Sequence, residues 1–255
     1  MSHIVSHTQS HTGLVRKINE DACVDLFEAG VWVVADGMGG HAAGDVASQL
    51  VVDTIRSIVN RCREVSVRIL TDALHQANSE LCQYSQRELK GHTAGSTVVI
   101  LLIDKFHYHY LWVGDSRGYI LRQDKLRQLT RDHSQVNEMV EQGLLDSAEA
   151  EHHELANVIT RAVGVDSQVS VDVVSGVWQP GDLFLLCTDG LNKELSDTEI
   201  QQYLDHNNIA DANKALLHST LVSGARDNVS TILVKLANQQ NVNGKDVTIP
   251  KYLKL

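Results

Sequence analysis

The sequence predicts an α+β domain in which antiparallel sheets and helices form separate layers. Three observations carry that reading. Two helical segments follow three strands, many later strands are joined by tight turns, and long crossover helices between successive strands are scarce. A doubly wound parallel sheet needs such crossovers, whereas antiparallel neighbours need only short turns.

Ile4 to Thr12 alternates without a helical stripe and predicts a first strand. Ala22 to Leu26 and Val31 to Ala35 predict two more, joined by a turn near Glu28-Ala29-Gly30. A helix follows over about 43–62, where Val46, Leu50, Ile55, Ile58 and Cys62 recur at near-helical spacing. A second covers about 67–90, with Leu70, Ala73, Leu74, Ala77, Leu81 and Tyr84 on its stripe. Thr97 to Ile103 is nearly continuous in apolar, β-branched residues and predicts a buried strand. Tyr108 to Val113 is the next strand, and Tyr119 to Arg122 pairs with Lys125 to Leu129 around Gln123-Asp124. From Ser134 to about Glu154 the pattern is helical but polar, with few side chains to bury, which predicts a lightly packed flap over about 134–158. Val169 to Trp178 and Leu183 to Thr188 are strands around the turn Gln179-Pro180-Gly181-Asp182. Ser196 and Glu199 form a capping box for a helix, another helix covers about 211–223, and Val229 to Leu236 is the last strand. Residues 238–255 have little to bury and predict a polar tail after a single domain over 1–237.

The chain has 255 residues, 43% hydrophobic and 21% charged, which suits one globular core. Its net charge of −10 excludes the basic footprint of a nucleic-acid binder. Cys23, Cys62, Cys82 and Cys187 form no C-x-x-C pair and read as free thiols, which fits a reducing cytoplasm. The sequence shows neither a signal peptide nor an apolar run of membrane-spanning length, so no membrane association is expected.

Acids stand where apolar runs stop. Val31 to Ala35 leads into Asp36-Gly37, Tyr110 to Val113 into Gly114-Asp115, and Leu183 to Thr188 into Asp189-Gly190. Asn19-Glu20-Asp21 and Asp227-Asn228 precede strands. A carboxylate at the end of a buried strand is costly unless paired. Hard divalent cations are its natural partners, because Mg²⁺ and Mn²⁺ prefer oxygen ligands. The pattern points to a multi-carboxylate metal site drawn from distant parts of the chain. Each acid alone could equally serve a turn: Asp115 could cap through Ser116, and Arg16 could pair structurally with Glu20 or Asp21.

Seven blocks together resemble the metal-dependent protein phosphatases of the PPM (PP2C) family, in its bacterial branch. They are Arg16-Lys17-Ile18-Asn19-Glu20-Asp21, Asp36-Gly37-Met38-Gly39-Gly40-His41, Gly114-Asp115-Ser116-Arg117, Leu129-Thr130-Arg131-Asp132-His133-Ser134, Ile159-Thr160-Arg161-Ala162-Val163-Gly164, Asp189-Gly190-Leu191 and Arg226-Asp227-Asn228-Val229-Ser230. The resemblance implies a four-layer αββα sandwich, with two antiparallel sheets between antiparallel helices and a small flap. It implies a two-ion Mn²⁺ or Mg²⁺ centre, with Asp36 bridging, the Gly37 carbonyl on one ion and Asp189 and Asp227 on the other. Asp115, with Asp189, would hold a third, weaker ion. Glu20 and Asp21 would hold metal-bound waters, and Arg16 would clamp the phosphate. The activity implied is hydrolysis of phosphoserine and phosphothreonine by in-line attack of a metal-bridging water. Phosphoproteins would be the substrates, a Ser/Thr kinase the opposing enzyme, and the chain a monomer. The alternative is a non-catalytic metal-binding module of the same fold. Met38 stands where many eukaryotic members carry a histidine proposed as general acid, so that role has no assigned residue.

Histidines 3, 7 and 11 would share one strand face, yet neighbours lie about 13 Å apart, too far to chelate one ion, and a solvated face is expected. His41 is expected to shape its loop and His152-His153 to lie on the surface.

Overall fold

The computed structural model of the protein describes residues 3–39, 43–90, 92–146, 149, 153–155, 158–204 and 208–237. The expectations for Gly40, His41, His152, the 238–255 tail and parts of the 134–158 flap lie outside the described residues.

The strands are β1 (His3–His11), β2 (Asp21–Leu26), β3 (Val31–Met38), β4 (Gly95–Ser96), β5 (Val98–Ile103), β6 (His107–Val113), β7 (Arg117–Arg122), β8 (Lys125–Gln128), β9 (Asp172–Val177), β10 (Leu183–Cys187) and β11 (Val229–Ala237). The helices are α1 (Gly44–Val59), α2 (Val67–Glu88), α3 (Gln135–Glu141), α4 (Asp189–Asn192), α5 (Asp197–Leu204) and α6 (Ile209–Ser223). One sheet has the order β1-β11-β10-β7-β8; the other has β2-β3-β5-β6-β9, with β4 against β3. Neighbouring strands are antiparallel throughout.

Three apolar layers hold four structural layers together. Between the sheets lie Trp32, Val34, Leu101, Tyr110, Phe184 and Ile232. On the outer face of the second sheet, Val31, Val33 and Ile100 meet α1 and α2 through Val51, Ile55 and Leu74. On the outer face of the first, Leu185 and Leu233 meet α5 and α6 through Ile200 and Leu216. Burial on both faces explains why β3 and β5 read as unbroken apolar runs. Each large aliphatic side chain taken from water contributes about 1.5–3 kcal/mol.

Strand polarity brings the acids to one end of the sandwich. β3 and β6 each run antiparallel to β5, so their C-terminal ends coincide, near Asp36 and Asp115. β2 is antiparallel to β3, and its N-terminal Asp21 stands opposite Asp36. β11 is antiparallel to β10, so Asp227, two residues before β11, comes beside Asp189, two residues after β10.

The hairpin at Gln123-Asp124 forms as expected, with φ of 52° and 57° at the two turn residues. The capping box also forms: the Ser196 N–H donates to Glu199 Oε2 at 2.8 Å and the Glu199 N–H to Ser196 Oγ at 3.4 Å. Within the expected 134–158 flap, α3 is capped by Ser134 and followed by Gly143 at φ 70°. Asp189-Gly190 opens the short helix α4. His7 and His11 are half-buried rather than solvated: Asn213 of α6 donates to the His7 carbonyl at 2.9 Å, and His11 Nδ1 accepts the Gly13 N–H at 2.9 Å.

Candidate metal centre

β3 delivers Asp36 with its backbone fully engaged. Its N–H donates to Thr97 Oγ1 at 3.1 Å, and its carbonyl accepts from the Thr97 N–H at 2.8 Å and Ser96 Oγ at 3.1 Å. Asp21 Oδ2 accepts from Thr188 Oγ1 at 2.9 Å, and that hydroxyl accepts the Ser230 N–H at 2.9 Å. Asn228 ties the loop before β2 to β11: its Nδ2 donates to Thr12 O at 2.8 Å and Ile18 O at 3.0 Å, and its Oδ1 accepts the Glu20 N–H at 2.8 Å. Two glycines are obligatory here. A Cβ on Gly37 would lie 1.8 Å from the Gly44 carbonyl oxygen, and one on Gly190 would lie 1.9 Å from that of Asn228.

Negative charge is concentrated beyond what the protein neutralises. Burial, then Asp189 and Asp21, drive the Asp36 carboxyl well above the ordinary carboxylate range. Burial pushes Asp21 up to about 7 against the opposing bonds from Ser230 and Thr188. Burial and then Asp189 push Asp115 up to about 7. Asp189 is raised by burial although Lys193 opposes the shift. Asp227 alone is lowered: Lys193 and then Arg16 outweigh its burial. Arg16 forks onto Asp227, with Nε to Oδ1 at 2.9 Å and Nη2 to Oδ2 at 3.1 Å, so its carboxylate partner is Asp227 rather than Glu20 or Asp21. Lys193 Nζ bridges Asp189 and Asp227, at 3.1 Å from Asp227 Oδ2.

The donor set fits divalent cations. Buried oxygens Asp21 Oδ1 and Asp189 Oδ1 have no hydrogen-bond partner, and such orphans need a cation or water. Oxygen donors from Asp side chains and a glycine carbonyl suit Mg²⁺ or Mn²⁺. Among the described residues no three His, Cys, Asp or Glu side chains close around one point, and Lys193 pairs with both Asp189 and Asp227. Glu20 lies at the edge of the group: its carboxylate accepts the Gly44 N–H and faces the N-terminus of α1, which lacks a side-chain cap of its own.

The charge pattern predicts an unusual pH response for metal-stripped protein. Asp21, Asp36, Asp115 and Asp189 have folded pKa values above their unfolded ones, so the folded state binds more protons between those values. Their contribution to stability is therefore full below about pH 4 and lost as pH rises through about 7. Asp227 acts oppositely, below the ordinary carboxylate range. We expect Tm of the metal-stripped protein to rise on acidification from about pH 8 to about 5.5, and saturating Mn²⁺ to remove that rise. Scanning calorimetry at both values checks it; a Tm that falls equally with and without metal would contradict the assignment.

Several contributors escape sequence reading. Lys193, Thr188, Thr97 and Asn228 are among them, and so is His133. Its Nδ1 accepts the Gly114 N–H at 3.0 Å, its own N–H donates to Gly114 O at 2.9 Å, and its ring stacks on Trp112. Nε2 lies 3.1 Å from Asp172, and burial lowers the His133 pKa. A neutral His133 thus clamps the backbone just before Asp115. Arg117 of the same block is structural, bound to Asp132 by Nε at 2.9 Å and Nη2 at 2.7 Å.

Comparison with known proteins gives a consistent result. The family described as Protein phosphatase 2C matches residues 10–234. The serine/threonine phosphatase stp of Listeria monocytogenes serotype 4b is 33% identical over 236 residues, covering 88% of this chain and 92% of that protein. The structure of PppA, a key regulatory component of T6SS in Pseudomonas aeruginosa, superposes with a TM-score of 0.83 at 43% identity, covering 92% of this chain and 98% of that one. The catalytic domain of the serine threonine protein phosphatase PstP, in complex with two manganese ions, superposes with a TM-score of 0.84 at 30% identity, covering 93% and 100%.

Proposed function

The chain belongs to the protein phosphatase 2C family, and from that premise we propose how its residues carry out metal-dependent phosphoserine and phosphothreonine hydrolysis. The observation that carries the reading is the gathering of Asp21, Asp36, Asp115, Asp189 and Asp227 at one end of the sandwich, under-neutralised and beside Arg16. A non-catalytic module is not favoured, because every acid of the family pattern is present.

Asp36 would bridge two ions, with the Gly37 carbonyl on one and Asp189 and Asp227 on the other. When bound, divalent cations held there would supply an activated water and neutralise charge on the phosphoryl oxygens. Asp21 and Glu20 orient solvent at that centre. Arg16 offers a planar fork matched to phosphate oxygens, and its hold on Asp227 keeps it aimed at the cluster. Asp115, near Asp189, would hold a third ion, and His133 fixes the backbone before it. The 134–158 segment acts as a flap that selects among protein substrates. The natural targets are phosphoproteins of a bacterial Ser/Thr kinase pathway, the enzyme works as a monomer on Mn²⁺ or Mg²⁺, and the cytoplasm suits its four free cysteines. Among the described residues no helix is long and apolar enough to cross a membrane.

The test is hydrolysis of a phosphothreonine peptide and of para-nitrophenyl phosphate. Both should proceed with Mn²⁺, stop on chelation and resume on adding metal. Turnover that persists in metal-stripped protein, or none with any divalent ion, would reject the reading.

A further inference from the structure

Asp227 receives as many hydrogen bonds as its carboxylate can accept. Oδ1 accepts from Arg16 Nε at 2.9 Å and from the Asn228 N–H at 3.0 Å. Oδ2 accepts from Arg16 Nη2 and from Lys193 Nζ, both at 3.1 Å. A carboxylate offers about four lone-pair sites, and these donors fill them. A cation can therefore reach Asp227 only where one of the donors withdraws.

The donors differ in what holds them. The Asn228 N–H is backbone, and the side chain of the same residue fixes it through Thr12 O, Ile18 O and the Glu20 N–H. Arg16 meets both oxygens as a planar fork, and among the described residues its ion pairs go to Asp227 alone. Lys193 makes one contact to Asp227 and a second to Asp189 Oδ2. Asp189 Oδ1 accepts no hydrogen bond. Of the two acids assigned to one ion, Asp189 thus keeps an oxygen free, whereas Asp227 keeps none while Lys193 is in place.

The turn of α4 dictates this placement. Lys193 follows Asp189 by four residues, and its N–H donates to the Asp189 carbonyl at 2.9 Å, so its side chain lies over that of Asp189. That side chain is 30% exposed, at the rim of the cluster with a path to water. A compact, strongly hydrated ammonium on a flexible four-carbon stem leaves for solvent more readily than a forked guanidinium. Repulsion acts in the same direction: an ammonium touching both acids and a dication shared by them would be neighbouring like charges.

We propose that Lys193 is an internal competitor of the divalent cation at Asp189 and Asp227. Ammonium and ion exclude each other there, and metal binding turns Lys193 out to solvent. This rests on the metal-dependent phosphatase reading and assigns to Lys193 the setting of metal affinity.

The test uses Mn²⁺ alone as the probe. Titration calorimetry compares the wild type with Lys193→Met, which keeps the aliphatic stem, and Lys193→Arg, which keeps the charge. Lys193→Met should bind Mn²⁺ at least about tenfold more tightly, the factor that one charge-assisted contact is worth. It should also lower the Tm of the metal-stripped protein, because Asp189 and Asp227 lose a counter-charge. Lys193→Arg should stay near the wild type in affinity. Lys17→Met removes the same charge from an exposed position of the neighbouring loop and should change affinity far less. Displacement is read directly in the wild type by brief acetylation with acetic anhydride and peptide mass spectrometry. Saturating Mn²⁺ should speed the labelling of Lys193 several-fold relative to exposed Lys125. Unchanged or weaker affinity in Lys193→Met overturns the competitor, as does an equal gain in Lys17→Met. So does labelling of Lys193 that Mn²⁺ leaves unchanged or slows, an outcome that needs no variant to fold. Absence of Mn²⁺ binding in the wild type and in Lys193→Met alike would reject the metal-dependent reading itself, and the competitor with it.

Discussion

Asp36→Asn is expected to lower phosphatase turnover by more than about a thousandfold at saturating Mn²⁺ while raising the Tm of the metal-stripped protein. Loss of a mere partner to a metal ligand already costs about 10–100-fold in metal affinity or activity, and Asp36 is positioned to bridge two ions. The fold should survive, because asparagine is nearly isosteric and the Asp36 backbone keeps its bonds to Thr97 and Ser96. Stability should rise because Asp189, Asp21, Asp115 and Asp227 all oppose ionisation of the buried Asp36 carboxyl. The opposite signs are the diagnostic. A phosphopeptide turnover assay at saturating Mn²⁺ and a thermal scan of the metal-stripped variant measure both. Unchanged turnover would remove Asp36 from the centre, and a lower Tm in the metal-stripped variant would show that its charge is compensated after all.

Arg16→Ala is expected to reduce kcat/KM on phosphopeptides about ten- to hundredfold, through KM more than through kcat. A charge-assisted contact to an anion contributes about 1.5–3 kcal/mol. The fork onto Asp227 adds a secondary effect, since one counter-charge on that acid disappears while Lys193 remains. Metal affinity should therefore change less than KM does. Arg16→Lys should recover only part of the loss, because a point charge cannot reproduce a planar two-bond contact. Unchanged kinetics in the alanine variant, together with a shift in metal affinity, would make Arg16 a structural counterion of Asp227.

The acids of the centre were legible because each interrupts an apolar pattern, and a charge at the end of a buried strand asks for a partner. The two-faced burial of β3 and β5 was legible for the same reason. What stayed hidden depends on tertiary neighbours. Thr97, Thr188 and Asn228 are neutral and common in turns, and only the paired sheets bring them to Asp36, Asp21 and Glu20. Lys193 stays hidden because no helix is expected at Asp189. In helical register it lies four residues beyond Asp189 and therefore over it. Within the polar stretch from Ser134, α3 ends before Gly143, whose φ of 70° leaves the helical region. His7 and His11 are misjudged because a histidine-bearing face looks wet until α6 packs against it.

The pairing of β1 with β11 has a consequence for biosynthesis. β1 finds its sheet neighbour only when β11 emerges from the ribosome, with His3 opposite Ala237 and His11 opposite Val229. Asp227 arrives with that same final segment, and with it the partner of Arg16 and one anchor of Lys193. A nascent chain shorter than this carries Asp21, Asp36, Asp115 and Asp189 with no completed cluster, and its non-local sheet pairing cannot begin to compensate. Translation arrest anywhere before residue 227 would therefore leave a fragment without the β1–β11 pair and without the acid that Arg16 and Lys193 hold.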